Sequence, residues 1–255
     1  QDGWFCGEEK VMRAVIDADV IVYQACIAAT VTAEHELGGD VVLQDFMSVA
    51  HGEDTFDAMV QSVKDQVETE DVLLVLSAAE NFRKDVYPRY KHNRKGIRPI
   101  GWSSMRAHAQ DAYGAFYKTP LEGDDLVGIY GGVPGNVIVS IDKDLRTVPG
   151  LHLDNATGEL IEIDEQAADR WWMTQTLTGD SVDGYPGCPG IGKVRAERML
   201  EACEPVLADM WPVVVAAYEK QGLTEDDALV QARLARILRP NDYDGESITL
   251  WQPTL

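Results

Sequence analysis

The chain has 255 residues, 45% of them hydrophobic and 25% charged, a globular composition long enough for one large domain or two closely packed ones. No apolar run approaches the roughly 20 residues of a membrane-spanning helix, and Gln1 to Lys10 lack the basic start and apolar centre of a signal peptide. The net charge of −21 argues against a polyanionic partner, yet Arg83, Lys84, Arg89, Lys91, Arg94, Lys95 and Arg98 share one stretch with a single acid, Asp85; that segment carries +6 and the remainder −27.

Residues 1–11 read as an extension ahead of the fold. Val11 to Ile16 reads as a buried strand, followed by an Ala-rich helical stretch from Val20 to Ala29. Helical patterns cover about residues 54–68, 102–115 and 121–130, while Val72 to Leu76 and Val137 to Ile141 read as further buried strands. Strands alternating with helices imply a parallel sheet covered on both faces. From Glu165 the pattern turns mainly helical, broken by a Gly/Pro-rich stretch at Gly184 to Gly192, and Ser247 to Trp251 closes the chain as a β-like run. The four cysteines are scattered without a zinc-like spacing, so they read as inert thiols of a reducing cytoplasm.

Acidic residues fall where an α/β protein places its chemistry. Asp17 and Asp19 end the first strand, and Asp142 and Asp144 follow the third, so both pairs belong to the crevice beyond the strands' carboxyl ends. Glu122, Asp124 and Asp125 open a helix, and the i, i+3 spacing puts Glu122 and Asp125 on one face. Asp180 and Asp183 repeat that spacing. Any one group alone has an ordinary structural reading, as a cap, a solvated first turn or a turn signal. Together they would repel strongly without cations between them, and oxygen-only donors suit Mg²⁺ or Mn²⁺. Two such ions about 4 Å apart polarise a phosphate and activate its attacking water.

Two further segments suit phosphate. Pro186 to Lys193 is a Gly/Pro turn leading into a helix of Val194 to Leu200; its glycines permit close backbone approach, and the helix start, Lys193 and Arg195 favour an anion. The basic segment has Pro88 placed for a first helical turn. Tyr90 and Arg94 then share a face beside Lys91, a phenol for base stacking next to cations for phosphate. His92 reads as a surface residue, and Trp102, Trp171 and Trp172 read as core.

These residues resemble the 5′-nuclease (flap endonuclease) superfamily, and within it the 5′→3′ exonucleases of T-odd podophages. The resemblance rests on Val15-Ile16-Asp17-Ala18-Asp19, Asn81-Phe82-Arg83-Lys84, Tyr90-Lys91-His92-Asn93-Arg94-Lys95, Leu121-Glu122-Gly123-Asp124-Asp125, Asp142-Lys143-Asp144 and Gly179-Asp180-Ser181-Val182-Asp183-Gly184. It extends from about Val11 to the C-terminus. It implies a PIN-like, mostly parallel α/β sheet flanked by helices with a helical arch (residues 12–164), followed by a helix-three-turn-helix DNA-binding region (165–255). It also implies two metal ions on Asp17, Glu122, Asp124, Asp125, Asp142, Asp144, Asp180 and Asp183. Tyr90, Lys91 and Arg94 would lie near the scissile phosphate. Arg83, Lys84, Lys95, Lys193 and Arg195 would contact DNA, with Gly190, Ile191 and Gly192 gripping the duplex, in some relatives around a K⁺ ion. The implied substrates are DNA with a 5′ end, nick or flap and RNA–DNA hybrids, cut by a cytoplasmic monomer in phage replication, recombination or host-DNA breakdown. The sequence departs from the family in one place: the Asp usual after the second strand is absent from Leu76-Ser77-Ala78-Ala79-Glu80.

Two other readings compete. Asp17-Ala18-Asp19 also fits the nucleophile motif of haloacid-dehalogenase-type phosphatases, which leaves the basic segment and the Gly-rich turn without a task. A structure-specific DNA-binding protein that has lost catalysis would account for the absent Asp.

Overall fold

A computed structural model describes residues 12–38, 40–94 and 96–253; the expected extension of residues 1–11 lies outside them. The first strand, β1 (Arg13–Asp17), leads into α1 (Ala18–Ala28), a hairpin of β2 (Thr30–Leu37) and β3 (Asp40–Met47), and α2 (Val49–Val67). Then come β4 (Val72–Val75), the single turn α3 (Arg83–Val86), α4 (Trp102–Tyr113), α5 (Gly123–Gly131) and β5 (Asn136–Val139). A short 3₁₀ turn, Lys143–Thr147, precedes β6 (Gly150–Asp154) and β7 (Glu159–Ile163). Helices α6 (Glu165–Thr178), α7 (Lys193–Leu200), α8 (Leu207–Glu219) and α9 (Glu225–Ala235) complete the chain apart from a tail that contains one more 3₁₀ turn.

The main sheet has the order β4-β1-β5-β6-β7, parallel except for the β6–β7 pair. Alternation along its central strands assigns the two faces. Ala14, Ile16, Leu74, Val137 and Val139 pack with α1, α2 and α4, whereas Val15, Val75 and Ile138 pack with α5 and with Ile237 and Leu238 of the tail. Each of these side chains is 2% exposed or less apart from Ile237 at 6%, and a buried Val, Leu or Ile contributes about 1.5–3 kcal/mol. A third core, around Trp172, Met210 and Tyr218, joins α6, α7, α8 and α9 and also takes in Tyr90. The expected α/β architecture is therefore present, and the helical C-terminal region returns its tail to the sheet.

Two strand pairs carry no expectation from the sequence, and two expectations are corrected. The β2–β3 hairpin was read neither as strand nor as helix. It stands apart from the main sheet with Val31, Leu37, Val41, Leu43 and Phe46 each about half exposed or more, so no buried face left a periodic signal. The β6–β7 pair was likewise missed. Ser247 to Trp251 forms one isolated bridge, Ile248 with Tyr243, instead of a strand. Finally, residues 88–93 are successive turns and not a helix started by Pro88. Lys91 adopts φ +55° there while its N–H donates to Asp183 O at 2.7 Å, a tie to a loop 92 residues away that a helix would forbid.

Candidate metal-dependent nuclease centre

Asp17 closes β1 and caps α1, accepting the Asp19 N–H at 3.0 Å. Asp142 caps the 3₁₀ turn beyond β5 and accepts the Asp144 N–H at 2.8 Å. Glu122 is the N-cap of α5, which puts Asp124 in that helix's first turn. Three separate chain segments thus bring carboxylates to the carboxyl edge of the sheet, where a cavity of about 890 Å³ is lined by Asp17, Asp19, Glu122, Asp124 and Asp142. Lys91, Arg94, Arg98 and Arg106 line the same cavity, with Trp102 beside them.

The electrostatics separate these acids into two kinds. Burial, and then repulsion from Asp19 and Asp142, pushes Asp17 up to about 7. Burial and the Asp17 charge hold Asp124 well above the carboxylate range, with Lys91 opposing. Burial followed by Asp142, Asp180 and Asp183 raises Asp144 to about 6. Glu122 behaves oppositely: burial alone would raise it, but Arg83 and Lys91 bring it down to about 2. It accepts Arg83 Nη1 and the Tyr90 hydroxyl, each at 3.1 Å, and is paired with Lys91 Nζ. Asp183 accepts the Tyr90 hydroxyl at 2.8 Å and pairs with Arg94, with Lys91 Nζ 3.5 Å away. Asp180 accepts the N–H groups of Val182 and Asp183 and shapes its own turn. That turn is closed by Gly179 and Gly187, at φ +66° and +64°, whose backbones touch so closely that a Cβ on either would lie within 2.4 Å of the other's chain.

Three predicted roles change. Asp125 is fully buried: Arg83 grips both its oxygens at 2.7 Å, and the N–H groups of Glu122 and Leu238 donate to them as well, each at 3.2 Å. With its lone pairs taken, it is a structural anchor and not a metal ligand. Arg83, expected on DNA, is 3% exposed; its remaining N–H groups go to Leu234 O and Arg236 O. Tyr90 is buried too, stacked on Tyr185 at 6.4 Å, so its ring face is not offered to a base. The other predicted contacts are exposed: Lys84, Lys193 and Arg195 at the surface and Arg94 half exposed. Lys95 lies outside the described residues. Gly190 has φ +73°, Ile191 is buried beneath the turn, and Gly192 precedes α7 with no side chain capping the helix start. The core reading holds for Trp172, whereas Trp102 borders the cavity and Trp171 carries Lys193 Nζ 5.3 Å above its ring.

Arg106 and Gln175 bear on this site without having been singled out from the sequence, and Trp102 and Ser77 take parts in it beyond the core position and the absent Asp read for them. Trp102 and Arg106 sit one helical turn apart on α4, with Met105 and Ala109 buried behind them, an amphipathic pattern readable in retrospect. Gln175 of α6 donates Nε2–H to Asp144 at 2.6 Å while its own Oε1 is buried without a partner. A chamber of about 30 Å³ adjoins it, walled by Glu122, Asp124, Asp144, Asp183 and Tyr185. Ser77, at the place of the absent Asp, accepts the Gly123 N–H through Oγ at 2.9 Å and donates its own N–H to Asp19 at 2.7 Å.

Divalent cations fit this donor set. Among the described residues no three of the acids close on one point as a ready cage. They form instead a string of oxygen donors, which suits ions that keep much of their hydration and take one or two carboxylates each. The orphaned Gln175 Oε1 faces that need directly, because a buried acceptor requires a donor such as ion-bound water.

The whole chain has relatives. The exonuclease of Escherichia phage T7 is 28% identical over an alignment covering 97% of this chain and 95% of that one. The exodeoxyribonuclease of Enterobacteria phage T3 is equally similar, over 97% and 94%. A DNA polymerase I of Rhizobium leguminosarum is 31% identical over 68% of this chain, which spans 19% of that protein's length. No family model matches. Among solved structures, a phage T5 protein crystallised with metal ions superposes with a TM-score of 0.64 at 14% identity, covering 90% of both chains. A phage T5 flap endonuclease in a product complex with DNA and metal ions gives 0.62 at 15%, covering 90% of this chain and 89% of that one. Nearly end to end, then, the chain is similar to these phage exonucleases, and its fold is that of the phage T5 flap endonuclease.

Proposed function

We propose that the chain is a divalent-metal-dependent 5′→3′ exonuclease and flap endonuclease that hydrolyses phosphodiester bonds near the 5′ end of DNA. The observation that carries this is one cavity lined by both kinds of charge: Asp17, Asp124 and Asp142 together with Lys91 and Arg94. A phosphatase acting on small esters needs no such set of cations as Lys91, Arg94, Arg98 and Arg106. Asp17, Asp124, Asp142 and Asp144 would hold the divalent ions, which would supply Lewis acidity toward the phosphate and a lowered pKa of its attacking water. We take the ions to be two, Mg²⁺ or Mn²⁺. Asp180 and Asp183 belong to the turn beside Asp144, and Glu122 fixes Lys91.

The chain's own residues do the rest. Lys91 and Arg94 place N–H donors on the side of the cavity where charge builds on the phosphate oxygens. Glu122, kept ionised by Arg83 and Lys91, holds the Lys91 ammonium in place. The Gly190–Gly192 turn and the start of α7 offer backbone N–H groups to a duplex phosphate, assisted by Lys193 and Arg195; a K⁺ ion at that turn belongs to the same reading. We infer that residues 12–164 carry catalysis and 165–255 grip the duplex, in a cytoplasmic monomer that also accepts the RNA strand of a hybrid. Among the described residues no helix is long and apolar enough to cross a membrane.

The test uses 5′- and 3′-labelled duplex, nicked and flap substrates with Mg²⁺, Mn²⁺ or EDTA. Stepwise release from the 5′ end, or release of the flap, that requires the metal supports the proposal. Hydrolysis of p-nitrophenyl phosphate without DNA cleavage would make it a phosphatase. Flap binding without turnover in either metal would leave a DNA-binding protein.

A further inference from the structure

The carboxylates at the cavity differ in what already neutralises them. Glu122, Asp125 and Asp183 each hold a Lys or Arg of the chain, while Asp17, Asp124, Asp142 and Asp144 have no such partner among the described residues. Asp19 belongs to the first group. Arg106 Nη1 pairs with its Oδ1, Ser77 N–H donates to its Oδ2 at 2.7 Å, and Arg106 Nη2 also donates to Ser77 O at 3.0 Å. Acid, guanidinium and strand-end backbone thus close one ring, in which Asp19 is 15% and Arg106 19% exposed. The ring stands directly beside Asp17, two residues away, and on the wall of the same cavity.

From this ring we propose that Arg106 is a positioning residue which withdraws Asp19 from ion binding and so sets which carboxylates the divalent ions use. This rests on the nuclease reading only in assuming that divalent ions bind this cavity. A guanidinium satisfied by a carboxylate and a carbonyl is a fixed charge that cannot diffuse away. While it sits on Asp19, a divalent ion gains nothing there and bears instead on Asp17, Asp124 and Asp142. Without it, Asp17 and Asp19 would present two uncompensated carboxylates at adjacent positions, the arrangement that recruits a cation. Arg106 also ties the end of β4 to α1 through Ser77, which keeps Asp17 aimed at the ions and not at its neighbour.

Calorimetric titration of the full chain with Mn²⁺, without DNA, tests this directly. Arg106→Gln is expected to take up one additional Mn²⁺, or to bind its first ion at least tenfold more tightly. Asp19→Asn is expected to change Mn²⁺ affinity less than threefold, whereas Asp17→Asn loses an ion. The combined Arg106→Gln, Asp19→Asn chain should return to the stoichiometry of the parent. Unchanged or weakened uptake in Arg106→Gln overturns the proposal, as does an ion lost in Asp19→Asn. Should Arg106→Gln not fold, the Asp19→Asn titration decides alone, since an acid that serves as ligand cannot be neutralised without loss. Because none of these readouts involves cleavage, an inactive but ion-binding chain would sink the nuclease reading and leave this one standing.

Discussion

Asp124 and Asp125 are adjacent in sequence and opposite in consequence, and replacing each by Ala separates ion binding from folding. Asp125 fills the centre of a buried network in which Arg83 makes both 2.7 Å contacts to it and two backbone N–H groups complete its shell. Asp125→Ala leaves the Arg83 guanidinium, 3% exposed, with only Glu122 to offset its charge. Breaking a buried pair from one side costs about 3–5 kcal/mol, against total stabilities of roughly 5–15 kcal/mol. In urea at a slope of about 2–3 kcal/mol/M, the midpoint should fall by roughly 1–2.5 M with the slope unchanged. Asp124→Ala removes an acid that burial and Asp17 already hold protonated-prone, so its midpoint in EDTA should stay or rise while Mn²⁺ uptake drops. The measurement is equilibrium urea unfolding in EDTA, followed by tryptophan fluorescence, with Mn²⁺ titration of each folded chain. An Asp125→Ala protein that keeps its midpoint yet loses an ion would refute the structural assignment and restore Asp125 to the ligand set.

Other outcomes follow from the same geometry. Asp17 titrates near 7 in the folded chain against 3.8 when free, so the native state holds the proton more tightly than the unfolded one. Its contribution to stability in EDTA therefore falls as pH rises from about 4 to about 7; Asp17→Asn should remove that slope and gain about 1–2 kcal/mol at pH 8, a figure discounted for partial exposure and shared protons. A steeper loss with pH in the Asn variant would contradict the sign. Gln175→Leu should weaken Mn²⁺ binding roughly 10- to 100-fold by freeing Asp144, with DNA affinity in EDTA unchanged; equal metal affinity would show that Asp144 needs no such support. Replacing Lys193 and Arg195 together by Ala should weaken duplex binding uniformly across sequences and lower the salt slope by about 2. An unaltered slope would remove the α7 start from the interface.

Much of the fold was legible because buried parallel strands write themselves as unbroken apolar runs. Val72 to Leu76 and Val137 to Ile141 read correctly for that reason, as did the acidic groups that follow strand ends. The hairpin at residues 30–47 was not, since apart from Met47 at its end neither of its faces meets the core and its Val, Leu and Phe residues alternate with no hidden side. Asp125 and Arg83 were misread through a shared limit: i, i+3 spacing tells which residues share a helix face, not whether that face looks into a cavity or onto a guanidinium 42 residues earlier in the chain. Tyr90 and Lys91 were placed on a helix by Pro88, and the contact that forbids it belongs to Asp183. Long-range partners decided each of these cases.

Arg83 has a consequence for the order of events in the cell. Its acceptors come from α5 and from the carbonyls of Leu234 and Arg236, the last lying 153 residues downstream. A growing chain that has not yet reached residue 236 holds a buried-type guanidinium with half its partners missing, and Asp125 lacks the Leu238 N–H as well. The floor beneath Glu122 and Asp124 is therefore completed only once residues 234 to 238 are in place. A chain cut short before residue 236 would leave Arg83 and Asp125 without these partners, and the carboxylates above them without their support.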